Sequence, residues 1–373
     1  MFQNKIYQNY IGEIIKIFLT ILFGLTIIAW TVRAVNFLDL IVDNGHSILT
    51  YFQYSTLNII GILTKFIPLS FLLALTIFIV RQNEENEFII LWTSGVKKIQ
   101  VVHLFFCVSI FVTIFYLLFS TLITPFALNK SRKLLGNESA NFLPTIRIQQ
   151  FSDSFSGLTF IVDEKYQNKV KNIFLQDSSN ILQKISVSPE KKGKSTIIAN
   201  TGMIENENLI LLNGQIISSD SKNTRNEIVN FDQLNLNLKN LKNKTIKEPK
   251  VQETSSLKLL NCLNENISRD LKCNINFKKE LLPVLNRRFT MSLFIPVITF
   301  LTCFLLLKRK SIALNKFSIF FYSFLILLYS ELLLRYTGIS QIVNLLFLIS
   351  PFLFGLFFYI LLKVKFSNEQ HIN

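Results

Sequence analysis

The sequence predicts a membrane protein of six transmembrane helices, grouped three and three, with a jelly-roll-like all-β domain inserted between the third and fourth. Two observations predict it. Six long runs are nearly free of charge, in a chain that is 50% hydrophobic, 17% charged and has a mean hydropathy of +0.39. Between the third and fourth runs lies a long polar stretch in which apolar and polar residues alternate. A hydrocarbon core about 30 Å thick takes about 20 residues of apolar helix, and an ordinary soluble domain carries no such series.

The runs cover residues 14–38, 57–80, 99–124, 289–307, 317–335 and 340–362. The first is too long for the apolar core of a signal peptide and no A-x-A-type cleavage site follows, so it reads as a membrane anchor. Lys5, Arg81, Lys97, Lys98, Lys308, Arg309, Lys310, Lys316, Lys363 and Lys365 flank alternate ends of the runs, which puts those ends in the cytoplasm. The insert then lies outside the cytoplasm, where its lysines raise no objection, because long domains translocate regardless of charge. The plan is residues 1–128 for the first three spans, 129–255 for the β domain, 256–286 for a connector, and 287–373 for the last three spans and a cytoplasmic tail. The net charge of +15 comes without a basic stripe, zinc spacing or RNA-binding signature, which argues against nucleic acid as a partner.

Within the insert, strands are expected near 145–150, 158–162, 170–176, 185–187, 196–199, 209–212, 215–218 and 234–238. In the last, Leu234, Leu236 and Leu238 face one way and Asn235 and Asn237 the other. Asn213-Gly214 and Asp220-Ser221 read as turns between strands. A sandwich, a jelly roll and an open barrel all accommodate this pattern. Gly193-Lys194-Ser195-Thr196 resembles the end of a phosphate loop, but position 188 is Ser188 and a β-branched run follows instead of a helix, so it reads as a hairpin tip. Cys107 and Cys303 fall in spans as packing residues, whereas Cys262 and Cys273 read either as a disulfide or as two thiols. With three His (His46, His103, His371) and no metal spacing or nucleophile–base set, no enzyme site and no cofactor is expected.

The segment 83–98, NEENEFIILWTSGVKK, predicts a short helix in a cytoplasmic connection. Asn83 suits the N-cap, Glu84, Glu85 and Glu87 the first turn, and Gly95 the left-handed position that ends a helix. Glu84, Glu87, Phe88 and Leu91 share a face. Bare Phe, Leu and Trp on such a helix point to a partner with a groove for them. The alternative, a helix lying on the membrane surface, sets acidic side chains against anionic headgroups.

IPLSFLLAL (Ile67–Leu75), NEFIILWTSGV (Asn86–Val96) and ELLPVLNRRF (Glu280–Phe289) together resemble the LptF/LptG permease family of the lipopolysaccharide exporter. The helix–insert–helix plan extends that resemblance over the whole chain, and FIVDEKYQNKVKNIFLQ (Phe160–Gln176) looks more LptF-type than LptG-type. The resemblance implies a subunit in the bacterial inner membrane that extracts lipopolysaccharide from the outer leaflet and passes it to a periplasmic bridge protein of the LptC/LptA type. It further implies a homologous LptG-type six-helix partner and a dimeric cytoplasmic LptB-type ATPase, which hydrolyses the ATP. Glu87 matches the family's shared acidic residue in the helix that couples to the ATPase, although Asn86 stands where Ser or Thr is usual. Glu84, Glu85, Phe88, Leu91 and Gly95 complete that coupling set. Arg33 matches a basic residue near the outer end of the first helix and Arg335 one near the outer end of the fifth, both implying contact with lipid phosphates. Lys65 joins them as a lipopolysaccharide-binding residue, snorkelling being the alternative for Lys65 and Arg33 alike. Rival functions are a permease of another ABC class (lipoprotein release or mechanotransmission), which typically has four helices, and a membrane-anchored β-domain scaffold without transport.

Overall fold

A computed structural model describes residues 5–42, 47–137, 148–155, 158–166, 169–177, 193–205, 208–220, 226–237, 250–263, 275–307 and 312–372. Six helices are long and apolar enough to cross a membrane: Lys5–Ile41, Ile48–Glu84, Lys98–Leu135, Lys279–Leu306, Lys316–Tyr336 and Gln341–Asn368. The protein is therefore a multi-pass helical membrane protein with a β domain inserted after the third span, as the hydropathy pattern predicts. The chain divides into two compact units, one of residues 1–32, 56–130 and 249–373, the other of 33–55 and 131–248.

The helices are α1 (Lys5–Asn36), α2 (Asp39–Val42), α3 (Ile48–Glu84), α4 (Glu87–Thr93), α5 (Lys98–Leu118), α6 (Thr124–Asn137), α7 (Ser256–Leu263), α8 (Ile275–Arg288), α9 (Phe294–Thr302), α10 (Ile312–Tyr336) and α11 (Gln341–Ile372). A π-helical turn, Phe119–Ile123, joins α5 to α6, so the third span continues into Asn137, past the 128/129 border drawn from composition. In the helical unit α9 is the hub, packed on α5, α10 and α11. Of the fourth span's apolar window 72% is buried, against 22% in the first, fifth and sixth, so those three present most of their surface outward. Phe71, Phe78, Phe105 and Phe294 fill the core, and Tyr10 meets Phe78 edge-on at 5.3 Å. Buried hydroxyls turn back on their own helices, as Thr26 to the Leu22 carbonyl and Thr299 to that of Ile295, which satisfies them where no water can.

At one end of this unit a polar network replaces apolar packing. The Arg288 side chain, 4% exposed, donates to the Ser256 hydroxyl at 2.8 Å and to the Gln252 and Thr254 carbonyls at 3.0 and 2.9 Å. The wide π turn presents Ser120 to the Arg288 carbonyl at 2.9 Å, and Ser256 donates to the Thr121 carbonyl at 2.8 Å. Arg287 pairs with Glu331 of α10 at 2.7 Å, and Asn286 with Asn344 of α11 at 2.6 Å. Cys262 of α7 is buried and disulfide-bonded, whereas Cys107 and Cys303 are free; Cys273 lies outside the described residues.

The other unit contains six antiparallel strands, β1 (Ser152–Phe155), β2 (Leu158–Tyr166), β3 (Lys169–Asp177), β4 (Gly193–Glu205), β5 (Asn208–Asp220) and β6 (Asn226–Asn237), paired in sequence order. Among the described residues this is a meander in which each strand pairs with the next in sequence, an order that the alternating pattern left open. A row of directly opposed residues, Phe160, Leu175, Ile197, Ile216 and Val229, crosses five strands and lies in its apolar core. The lysine-glycine tetrapeptide 193–196 is the start of β4, not a phosphate loop. The strand expected at 185–187 lies outside the described residues. Of the strand expected at 145–150, Ile148 forms an isolated bridge to Val162.

The two strands expected at 209–212 and 215–218 are one. Asn213 takes φ 51 and is skipped in the pairing on both sides, so Asn213-Gly214 kinks β5 instead of reversing it. Gly214 is required there, because a Cβ would fall on the Ile198 carbonyl oxygen and the Phe231 ring. Gly214→Val is expected to cost about 1–3 kcal/mol. The change will be read as faster cleavage of the insert in limited proteolysis of the full chain, with unchanged kinetics contradicting the close approach.

Candidate functional site

The connection between α3 and α5 concentrates the chemistry of the cytoplasm-predicted face. Contrary to the expected cap at Asn83, α3 runs through Glu84, and Asn83 instead donates its side-chain amide to the Leu305 carbonyl at 3.3 Å. The chain breaks at Asn86, which takes the left-handed conformation at φ 60, one that asparagine tolerates better than most residues. The seven residues of α4 follow, and Gly95 at φ 89 ends them as its sequence position predicts. There the Val96 amide reaches back to the Leu91 carbonyl at 3.2 Å, a Schellman-type closure.

Each acidic residue here has a different partner. Glu84 pairs with Lys316 of α10 at 2.7 Å, and Glu85 lies 3.7 Å from Arg81. Arg81 also pairs with Glu13 of α1, which accepts a further bond from Gln82 at 3.1 Å. Glu87, the first residue of α4, is half-buried and hydrogen-bonded to the Tyr10 side chain of α1. The junction is thereby tied to the first span on one side and the fifth on the other. Glu13 and Lys316 were not singled out as site residues from the sequence; their partners lie too far away along the chain.

The apolar face of α4 differs from the expectation. Phe88 and Leu91 are 1% and 5% exposed, and Trp92 is half-buried, so none of the three is bare. Phe88 packs on Tyr10 at 6.2 Å and stacks on Trp92 at 5.8 Å. A seven-residue helix cannot persist without tertiary packing, so it turns its best apolar face inward. The side chains left bare are Ile89, 53% exposed, and Ile90, 66% exposed.

The three basic residues linked to lipid lie on separate helices. Arg33 is exposed in the last turn of α1, Arg335 is exposed in the last turn of α10, and Lys65 is exposed within α3. Beyond the spans, the Lys171 ammonium is pushed up by its hydrogen bond to Glu164 at 2.9 Å, and burial pushes Lys165 down. Both flank the β2–β3 hairpin, away from these residues in sequence.

No curated protein matches the chain. A family model described as the lipopolysaccharide export system permease LptF/LptG matches residues 9–364, which takes in the insert, the α4 junction and all or most of every span. With nearly its whole length so matched, the chain belongs to the LptF/LptG family of lipopolysaccharide export permeases.

Proposed function

We propose that this chain is the LptF-type permease subunit of an exporter that extracts lipopolysaccharide from the outer leaflet of the inner membrane and passes it to a periplasmic LptC/LptA-type bridge. It pairs with an LptG-type permease, and a dimeric LptB-type ATPase in the cytoplasm hydrolyses ATP for both. The observation that carries the coupling is the double attachment of the α4 junction, through Tyr10 to α1 and through Glu84–Lys316 to α10. A push on α4 then reaches α1 directly, through Phe88 on Tyr10, and α10 by way of Glu84 at the end of α3. In this reading Glu84, Glu85 and Glu87 offer charge to the ATPase, Ile89 and Ile90 enter its groove, Phe88 and Leu91 brace the helix from behind, and Gly95 sets its end. The basic residues at alternate span ends face the cytoplasm, so the β domain is periplasmic. Arg33 and Arg335, exposed in the last turns of α1 and α10, meet lipid phosphates, since a charge on a membrane helix is costly unless it finds water, a partner or a headgroup, and Lys65 is proposed beside them as a further lipid contact.

Depletion of the chain from cells tests the proposal. Newly made lipopolysaccharide is expected to accumulate in the inner membrane, and the chain purified from native membranes in mild detergent is expected to bring an ATPase with it. Delivery at the usual rate, or purification without an ATPase, overturns the reading.

A further inference from the structure

The connector helix α7 carries leucines that the rest of the protein leaves bare. At about 100° per residue its side chains fall into three sectors. Ser256, Leu259 and Cys262 are buried, and Leu259 and Cys262 join Leu281 and Leu285 of α8 in a small core. Leu257 and Leu260, 76% and 43% exposed, share a second sector about 60° apart. Lys258 and Asn261, also exposed, share the third. A helix bathed in water on its outer side gains nothing from the second sector. A helix with protein on one side, water on another and hydrocarbon on the third uses all three.

Hydrogen bonds fix the height of this helix. Its first residue, Ser256, accepts from Arg288 at 2.8 Å and donates to the Thr121 carbonyl at 2.8 Å. Arg288 immediately precedes the fourth apolar run, 289–307, and Thr121 lies in the last turn of the third, 99–124. Two hydrophobic runs therefore end level with Ser256. Leu285 and Leu281 stand about 5 and 11 Å beyond Arg288 along α8, and the headgroup layer is about 5–8 Å thick on each side of the hydrocarbon. So α7 begins at the edge of the hydrocarbon and packs on α8 at headgroup level. Each member of the bonded set also adjoins an exposed apolar residue: Leu257 follows Ser256, Leu122 follows Thr121 and Phe289 follows Arg288. Leu122 and Phe289 belong to spans, so the bare surface of the spans continues onto α7.

We propose that α7 is an interfacial helix whose Leu257 and Leu260 enter the glycerophospholipid leaflet at this end of the spans, with Lys258 and Asn261 on the water side. The leaflet thereby holds the connector to the fourth span at headgroup height. This needs a membrane around the spans but not the exporter reading, so either can fail without the other.

The test is photocrosslinking of the full chain in native membranes, with a benzophenone amino acid at position 257, 258, 260 or 261 in turn. Positions 257 and 260 are expected to yield peptides carrying the mass of a glycerophospholipid, and 258 and 261 none. Hydrogen exchange of the full chain in phospholipid nanodiscs then measures how firmly the leaflet holds the helix. Leu257→Gln combined with Leu260→Gln is expected to speed amide exchange in α7 at least about tenfold, the factor that corresponds to exposing one leucine. Glutamine matches leucine and lysine in helix propensity, so Lys258→Gln combined with Asn261→Gln leaves the exchange unchanged. Adducts to a second polypeptide or to lipopolysaccharide at 257 and 260, equal phospholipid yields at all four positions, or exchange unmoved by the leucine pair overturns the proposal.

Discussion

Arg288→Met is expected to lower the unfolding midpoint of the detergent-solubilised chain by at least about 5 °C. Methionine fits the length and the apolar surroundings of the arginine stem, so the loss isolates the guanidinium. That group donates to the Ser256 hydroxyl and to the Gln252 and Thr254 carbonyls in a site where Arg288 is 4% exposed. Losing a hydrogen bond from a charged donor costs about 1.5–3 kcal/mol, at the lower end where the acceptor is only part-buried, as the Gln252 and Thr254 carbonyls are. Two such carbonyls outweigh the relief of no longer burying a charge, and about 2 kcal/mol moves the midpoint of a large domain by roughly 4–8 °C. Arg288→Lys recovers only part of the loss, because an ammonium cannot span three acceptors as a planar fork does. A shift under about 1 °C for Arg288→Met means that the segment before α7 is held by something else.

The second large effect is at Glu87. Glu87→Ala removes the carboxylate that begins α4 and the acceptor of its bond with Tyr10. Truncating one partner of a buried interfacial charge pair costs roughly 2–5 kcal/mol, so affinity for the ATPase is expected to fall by about thirtyfold or more. The measurement is the amount of ATPase retained through purification, with lipopolysaccharide delivery assayed in parallel. Glu87→Gln separates the two roles of the side chain, because an amide keeps an acceptor for Tyr10 but offers no charge. Loss with both variants assigns the effect to charge across the interface; loss with alanine alone assigns it to bracing by Tyr10. Full retention by Glu87→Ala with normal delivery ends the coupling role.

The spans were legible because each apolar run is self-sufficient: its length and lack of charge decide its fate whatever its neighbours do. The end of α4 was legible for a similar reason, since Gly95 adopts a positive φ that most other residues resist. Its start was not. Glu84 and Glu85 read as a helix N-terminal turn, yet tertiary partners on α1 and α10 hold α3 in helical form through Glu84. Asn213-Gly214 misled likewise, for the dipeptide that favours a hairpin turn also suits a kink within a long strand. The inward turn of Phe88 depends on Phe78 of the preceding helix and on Tyr10, far away in the chain, and local periodicity says only that Phe88 and Leu91 share a face. Arg288 was hidden in a basic dipeptide whose two members have opposite fates, one paired with an acid and one enclosed by carbonyls.

The uneven enclosure of the spans also bears on how this sequence can drift. Inside the fourth, most side chains are hemmed in by neighbours from the same polypeptide, so few replacements there can pass unnoticed. Along the first, fifth and sixth, only 22% of the apolar window is buried within the chain, and positions that meet lipid alone accept any greasy residue of convenient size. Wherever those three helices nevertheless refuse exchange, the restriction must come from another molecule, and a saturating survey of substitutions would trace that molecule's outline.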